Sequence, residues 1–333
     1  MGITVVGSLN FDFVTYTERI PVAGETFVAD SFETHAGGKG LNQCIALAKL
    51  TEPKDGRKSN TRMVGRVGQD SFGEQLISIL QDHEIDTEYV EKVVHESTGA
   101  AVIIVEKAKG QNRIMITAGA NGKTVYSKDQ LASIFPPDEK EFVVFQHEIP
   151  NPPAIMNWIK KERASTEVVF NPSPFHSLEP EDWKSVDILI VNEIEALQIA
   201  ESLYNEDNVK SFKSRIENDF KTGYLELAQY YQKSLISTSN SSIVIVTLGE
   251  LGAIFTSKNH PAGGYVPSIR VKKVVDTTAA GDTFLGATIS QLCDGKDLKE
   301  AISFATVASS ITITRKGAAE IIPLYKEVYN IIR

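Results

Sequence analysis

Short apolar runs alternate with amphipathic helical stretches through the second half of the chain. The runs lie at 142–145, 167–170, 187–191, 242–247 and 271–275. Short runs rich in Val, Ile and Phe are typical of strands that are buried on both faces, and helical stretches between them act as crossovers. The pattern therefore predicts the α/β class, with a doubly wound, mostly parallel sheet that carries helices on both faces.

A polar or glycine-bearing cluster follows each of these runs, for example at 146–148 and at 192–195. Ligands of open α/β sheets bind in the crevice beyond the carboxyl ends of the strands. We therefore expect these clusters to line one crevice.

Residues 13–36 and 88–118 depart from this rhythm, because their apolar and polar positions alternate without an adequate helix between them. Such alternation indicates strands with one solvated face. We expect a small β-sheet lid that projects from a single domain spanning 1–333. Its apolar face would cover the crevice, pair with a second subunit, or do both. The charged segment 205–239 has apolar residues at helical spacing and is predicted to be a helical surface insertion without chemistry.

The composition is that of an ordinary globular protein, with 333 residues, 42% hydrophobic and 23% charged positions and a formal net charge of −9. An acidic chain is a poor partner for nucleic acids or anionic membranes, so neither is expected. Cys44 and Cys293 are the only cysteines and no CxxC spacing occurs, which argues against a disulfide framework or a zinc site. The N-terminus has no basic leader or long apolar run, so the expected location is the cytoplasm, with the nucleus as a second compartment.

The segment from Asp276 to Asp282 has two Thr, two Ala and one Gly between its acidic ends. Small residues there let backbone N–H groups converge at the start of the helix predicted for 283–293, where the helix dipole favours an anion such as a phosphate. The carboxylate of Asp282 would then take a proton from an attacking hydroxyl, as in phosphoryl transfer. The alternative is that Asp282 only caps the helix.

Two further segments have groups that a sugar ligand needs. Asn10 and Asp12 follow the first apolar run and offer hydrogen bonds to hydroxyl groups, although an Asx turn would use the same residues. Residues 36–43 are rich in glycine and precede a helix predicted for 44–50, which allows close backbone approach to a ligand and a hinge. This segment is not a Walker A loop, because glycine follows its lysine where Ser or Thr is required. A plain flexible turn is the alternative.

Four motifs resemble the ribokinase branch of the PfkB carbohydrate kinase family, and they follow one another along the chain in the family's order. Residues 37–43 and 276–284 are similar to its two signatures, 192–195 to its N-x-x-E motif, and 247–249 to the start of its nucleotide loop. The resemblance covers nearly the whole chain. It implies an ATP-dependent transferase that phosphorylates D-ribose at O5 to give D-ribose 5-phosphate and ADP. It also implies Mg²⁺ bound with ATP, K⁺ as an activator, and a homodimer formed through the lid.

The resemblance also implies roles for individual residues. Asp282 is similar to the family's catalytic base, and Ala279, Ala280 and Gly281 together with Asp282 are similar to its anion hole. The sugar-binding positions are matched by Asn10, Asp12, Gly38, Lys39, Gly40, Leu41, Asn42, Glu148 and Asp282. The ATP-binding positions are matched by Asn192, Thr247, Leu248, Gly249, Glu250, Leu251, Gly252, Gly281, Asp282 and Thr306.

Metal positions are implied in the same way. Glu195 resembles the family residue that organises Mg²⁺ through water, which suits an ion that keeps much of its hydration shell. Ile321 stands where ribokinases often supply a hydroxyl, and Ala279 stands where many relatives have glycine. A solvated basic pair with Lys316 is the alternative for Arg315. The positions of the monovalent-cation site are matched by Asp276, Thr278, Thr312, Arg315, Gly317 and Ile321.

Two other functions stay open from the sequence. A kinase of the same fold that acts on a nucleoside or on deoxyribose is the nearer alternative, although Lys39, Asn10 and Asp12 favour free ribose by resemblance. A non-catalytic sugar or nucleotide sensor is the alternative of a different class, since a fold does not define a function. Asp282, the small residues before it and Glu195 argue together for catalysis.

Overall fold

The computed structural model describes residues 1–53, 60–108, 111–137, 140–239 and 241–333. Its strands are β1 (Gly2–Val6), β2 (Asn10–Thr17), β3 (Ser31–Gly37), β4 (Thr61–Gly68), β5 (Asp86–Val93), β6 (Gly99–Glu106), β7 (Gln111–Thr117), β8 (Glu141–Phe145), β9 (Glu167–Phe170), β10 (Ile188–Asn192), β11 (Ile243–Thr247), β12 (Ala253–Ser257) and β13 (Gly264–Val266). Its α-helices are α1 (Lys39–Leu50), α2 (Ser71–Asp82), α3 (Lys128–Ile134), α4 (Pro152–Glu162), α5 (Glu193–Leu203), α6 (Glu206–Asn218), α7 (Phe220–Tyr230), α8 (Ala280–Cys293), α9 (Leu298–Thr312) and α10 (Tyr325–Ile332).

Within these ranges, the large sheet has nine strands in the order β13-β12-β11-β10-β9-β8-β1-β4-β5. All neighbours from β11 to β5 are parallel, whereas β12 and β13 add antiparallel strands at one edge. Every residue of β8 is buried, as expected for a parallel strand with helices on both faces. The predicted α/β class and mostly parallel sheet are confirmed.

The two faces of this sheet support two separate cores, because successive side chains of a strand point in opposite directions. Val5 of β1 belongs to the cluster that includes α1, α2, α8, α9 and α10, whereas the next residue, Val6, belongs to the cluster that includes α3, α4, α5 and α7. In the described part of the chain, no helix is both long enough and apolar enough to cross a bilayer.

A second, four-stranded sheet has the order β3-β2-β6-β7. It is joined to the body at the carboxyl end of β1, and Phe11 and Phe13 of β2 pack their rings against Phe72 of α2. The predicted lid range of 88–118 is too long at its start, since residues 88–93 belong to β5, which pairs with β4 in the large sheet. Residues 109 and 110 of that predicted range lie outside the described residues.

The predicted strand at 271–275 is wrong. These residues have no strand partner, Val274 and Val275 are exposed, and the backbone N–H of Val275 donates instead to the carbonyl of Ile313. The surface insertion predicted at 205–239 is helical but is exposed only in part. α6 is mostly exposed, whereas α7 and the helical turn after it bury Tyr224, Leu227 and Tyr231 in the core.

Candidate active site

The carboxyl ends of the parallel strands bring the predicted site residues to one edge of the large sheet. The segment after β1 leads to Asn10, the segment after β8 contains Glu148, and Asn192 and Thr247 end β10 and β11. Asn192 and Thr247 are direct register partners on neighbouring strands. The predicted crevice therefore corresponds to the edge at which open α/β sheets bind their ligands.

The first turns of α1 and α8 meet at this edge. α1 begins at Lys39 and α8 at Ala280, so both helices start earlier than the predicted 44 and 283. The glycine-rich segment is thus helical from Lys39 onward. At Gly40 a Cβ atom would lie 2.5 Å from the backbone nitrogen of Ser8, so only glycine lets α1 pack so closely on the segment after β1.

The carboxylate of Asp282 lies between these two helix starts. Its Oδ1 accepts a hydrogen bond from Gln43 Nε2 at 2.9 Å, and its Oδ2 accepts one from Asn42 Nδ2 at 3.2 Å. Asp282 is 8% exposed, so it is neither freely solvated nor sealed in the core. Ala279, which precedes the helix, has a φ of 58°, a left-handed conformation that glycine adopts more readily than alanine.

Glu148 connects the segment after β1 to the start of α1. Its Oε2 accepts from Ser8 Oγ at 2.5 Å and from the backbone N–H of Lys39 at 2.9 Å. Burial opposes the charge of the Lys39 ammonium, yet the nearby carboxylates of Asp282, Glu148 and Glu195 raise its pKa above the ordinary value. The site therefore holds a charged lysine among three carboxylates.

Asn10 and Asp12 stand at the start of β2, where the small sheet leaves the body. Asn10 Oδ1 accepts from Asn121 Nδ2 at 2.7 Å, which fixes the orientation of the Asn10 amide. Burial and the nearby Glu148 raise the pKa of Asp12 to about 6, while His35 acts in the opposite direction. Within the described residues, the buried oxygens Asp12 Oδ1 and Asn42 Oδ1 have no hydrogen-bond partner. Hydroxyl donors of a ligand fit both oxygens.

The segment after β11 forms a compact loop of one 3₁₀ turn, from Gly249 to Leu251. Gly252 closes it with a φ of 100°, and a Cβ atom there would lie 2.1 Å from the carbonyl oxygen of Val266. Tyr265 Oη and Ser268 Oγ donate to carbonyl oxygens of the loop. Side chains outside the predicted nucleotide loop therefore hold its backbone in place.

Asn192 and Glu195 form a reciprocal capping box at the start of α5. Asn192 Oδ1 accepts from the N–H of Glu195 at 2.7 Å, and Glu195 Oε2 accepts from the N–H of Asn192 at 3.0 Å. Thr306 is also engaged in its own helix, because its hydroxyl donates to the carbonyl of Ile302 at 2.9 Å. These contacts give the three residues local structural roles, and their ATP and Mg²⁺ roles stay predictions.

The residues predicted for the monovalent cation come together beside α8. The N–H of Gly317 approaches Asp276 Oδ2 at 3.5 Å, and Asp276 Oδ1 accepts from the N–H and the hydroxyl of Thr278. Arg315 donates to the carbonyl of Ile321 at 3.2 Å, which supplies that carbonyl with a cationic partner. Backbone carbonyls are ligands that K⁺ accepts. The described residues contain no group of three or more His, Cys, Asp or Glu side chains that could hold a metal ion.

Sequence reasoning missed several residues that hold the site in place. Asn121 bonds both backbone groups of Leu9 as well as Asn10, and Gln43 and Gln146 form a buried amide pair beside Asp282. Asn121 lies 112 positions from Leu9, so no local signal links them. Gln43 does fall within the glycine-rich motif, and its polar side chain at the start of an apolar helix was the available signal.

The chain thus combines a doubly wound α/β body, a small projecting sheet and an acidic residue at a helix start beside a glycine-lysine turn. The chain belongs to the pfkB family of carbohydrate kinases, whose family model matches residues 2–324.

Individual relatives agree with this membership. The chain is 36% identical to a ribokinase of Schizosaccharomyces pombe, with 98% of this chain and 96% of that protein covered. It is 32% identical to a ribokinase of Staphylococcus aureus, with 99% of each covered. The structure of Arabidopsis thaliana ribokinase complexed with ribose and ATP is similar with a TM-score of 0.81 and 30% identity, and the match covers 100% of this chain and 98% of that one.

Proposed function

We propose that this protein is an ATP-dependent ribokinase, which transfers the γ-phosphoryl group of ATP to O5 of D-ribose and releases D-ribose 5-phosphate and ADP. One structural observation carries the proposal: the Asp282 carboxylate lies at the N-terminus of α8 and is bonded to Asn42 of the first turn of α1, beside Lys39. The assignment of ribose as the substrate rests on the ribokinase relatives at 32% and 36% identity.

In the proposed reaction Asp282 is the general base. It takes the proton of the sugar's O5 hydroxyl while O5 forms a bond to the γ-phosphorus and the bond from that phosphorus to the bridging oxygen of ADP breaks. The backbone N–H groups of Ala279, Ala280 and Gly281 with Asp282 would form the anion hole for the transferred group, supported by the dipole of α8. A Mg²⁺ ion bound with ATP, organised through water by Glu195, would supply neutralisation of phosphate charge.

Sugar recognition is proposed for Asn10, Asp12, Asn42 and Glu148, together with the α1 start at 38–41. The buried oxygens of Asp12 and Asn42 would each accept a hydrogen bond from a sugar hydroxyl. A sugar that lacks one of these hydroxyls would leave a buried acceptor without a donor, which costs about 1–3 kcal/mol. This favours free ribose over deoxyribose.

ATP binding is proposed for Asn192, Thr306 and the loop 247–252, with Gly281 and Asp282 at the phosphate end. The direct pairing of Asn192 with Thr247 brings two of these motifs together on adjacent strands. K⁺ is the proposed activating cation, held mainly by carbonyl oxygens of the monovalent-cation residues named above. Arg315 already donates a hydrogen bond to the carbonyl of Ile321, so this carbonyl is less available to the ion than the others.

A homodimer through the small sheet is part of the proposal. Ile114 and Ile116 of β7 are exposed, and Ile116 lies in the same cross-strand row as Ala101 and Asp12. A second copy seated there would cover apolar surface next to the sugar site. The proposed compartment is the cytoplasm, with the nucleus as a second location, because a chain with only two cysteines suits a reducing environment.

The decisive test is ADP release across a panel of pentoses, hexoses, deoxyribose and nucleosides with Mg²⁺, with and without K⁺. We expect the highest kcat/KM for D-ribose and stimulation by K⁺. Preference for a nucleoside would assign the chain to another kinase of the same fold. Ribose binding without ADP release from any of the sugars would identify a sensor.

A further inference from the structure

Gln43 is a fully buried amide in contact with the carboxylate that we assign as the base. It is 0% exposed. Its Nε2 donates to Asp282 Oδ1 at 2.9 Å and to Asn171 Oδ1 at 3.1 Å, and its Oε1 accepts from Gln146 Nε2 at 2.7 Å. Both hydrogens of the Gln43 amide are therefore used.

The partners of Gln43 fix which end of its amide faces Asp282. Gln146 follows β8 and is also 0% exposed, and Asn171 follows β9 and donates to the carbonyl of Ile190 in β10 at 3.0 Å. A flipped Gln43 would face its NH₂ group toward that of Gln146 and its oxygen toward two other oxygens. The ends of the strands therefore hold Gln43 as a donor to Asp282.

The two oxygens of Asp282 have different partners. Oδ1 accepts from Gln43 at 2.9 Å, whereas Oδ2 accepts from Asn42 at the longer distance of 3.2 Å. Asn42 belongs to the proposed sugar-binding set, so a bound sugar competes for its side chain. Gln43 is not in that set and is fully buried, so a bound sugar does not compete for its bond to Oδ1.

We propose that Gln43 is the positioning residue of the catalytic base: it donates to Asp282 Oδ1, fixes the orientation of the carboxylate and leaves Oδ2 directed at the reacting hydroxyl. The inference rests on the proposed function, since it needs Asp282 to act as a base. A donor to a carboxylate favours its ionised form, and a fixed carboxylate keeps the geometry that proton transfer requires.

Gln43→Glu tests this proposal by exchanging the donor for a second carboxyl group of nearly the same shape. Two adjoining carboxyls share one proton, so the acid limb of the pH profile of kcat/KM for ribose should move upward by about one unit or more. Activity lost at neutral pH should return in part at higher pH. Gln291→Glu is the matched control, because Gln291 is a buried glutamine of α8 that donates to the carbonyl of Leu50. Its acid limb should stay at the wild-type position.

Gln43→Met removes the donor without adding a charge and gives a second readout. We expect kcat to fall about tenfold or more while KM for ATP stays within about twofold, since only the base is affected. Added to Asp282→Asn, the Met substitution should cause no further loss of kcat, because Gln43 acts through Asp282.

The outcomes separate the inference from the proposed function. Wild-type turnover in Asp282→Asn would overturn the base itself. If Asp282→Asn loses turnover, two results would overturn only the role of Gln43. The first is an unmoved acid limb in folded Gln43→Glu. The second is a further loss of turnover when Gln43→Met is added to Asp282→Asn. Failure of both Gln43 variants to fold, with Gln146→Met still folded, would assign Gln43 a structural role and reject the proposal as well.

Discussion

Asp12 places one carboxylate oxygen in a buried position without a hydrogen-bond partner among the described residues. Burial and the nearby Glu148 raise its pKa from 3.8 to about 6. The folded protein therefore holds a proton at Asp12 more tightly than the unfolded chain. Between these two pH values only the folded state is protonated there, so the free energy of unfolding falls as the pH rises through this window. A binding carboxylate of this kind lowers the stability of the protein at neutral pH.

Asp12→Asn should remove this pH dependence. We expect the variant to be more stable than the wild type at pH 7, by on the order of 2 kcal/mol after allowance for solvent screening. This difference in the free energy of unfolding should be smaller at pH 4. Denaturant unfolding at pH 4, 5, 6 and 7 measures the difference. Asp207→Asn, at an exposed position of α6, serves as the matched control. Equal pH slopes in the wild type and Asp12→Asn would contradict the assignment.

At the scale of secondary structure, the site depends on how closely the starts of α1 and α8 approach other backbone. A side chain at Gly40 would collide with the backbone of Ser8, whereas a Cβ atom at Gly281 would meet nothing within 4 Å. These helix starts were predicted too late in the chain, because glycine and lysine at 38–40 have the composition of a loop. Packing on the segment after β1 outweighs the low helix propensity of glycine there.

Gly281→Ala should therefore separate stability from activity. The free energy of unfolding should stay equal or rise by up to about 1 kcal/mol, because alanine favours a helix over glycine. Turnover should fall about tenfold or more, since the added methyl group occupies the space where the phosphate is proposed to lie. Gly40→Ala is the contrasting variant, with an expected loss of about 1–3 kcal/mol from overpacking. Wild-type turnover in Gly281→Ala would argue against the anion hole.

The strand predicted at 271–275 was wrong because tertiary contacts, and not local composition, decide the conformation there. Valines there have the composition of a strand, but Val275 and Asp276 direct their N–H groups to the carbonyl of Ile313, in the turn after α9. Composition predicts a strand where the residue types fit, but a strand also needs a neighbouring sheet edge, which no local pattern reports. The five-residue buried strands β8 and β11 were predictable because both of their faces are apolar.

At the scale of the whole molecule, contacts between distant segments decide the geometry of the site. Asn121 reaches Leu9 across 112 positions and Gln146 reaches Gln43 across 103. The motifs and the fold class were readable from the sequence, whereas these amide contacts follow only from the packing of the small sheet and of α1 on the body. The sequence could therefore predict the fold class and a set of candidate site residues, but not which residues hold those candidates in place.

The small sheet has exposed apolar side chains that bear on assembly. Ile114 and Ile116 expose 53% and 60% of their surface. We expect the wild type to sediment as a dimer and the Ile114→Asp and Ile116→Asp double variant to sediment as a monomer with a raised KM for ribose, because charges on an apolar interface oppose association. Ile331→Asp, at a 58% exposed position of α10, should leave the dimer intact. A monomeric wild type at micromolar concentration would contradict this interface.

The most direct test of the central claim is single-turnover phosphoryl transfer by Asp282→Asn with saturating ribose and ATP, with the affinity for each ligand measured in parallel. We predict that the variant folds, binds both ligands within about tenfold of the wild type, and transfers the phosphoryl group about 10² to 10⁴ times more slowly, as expected for loss of a general base. Transfer within a few-fold of the wild-type rate, in a variant that binds both ligands, would contradict the account.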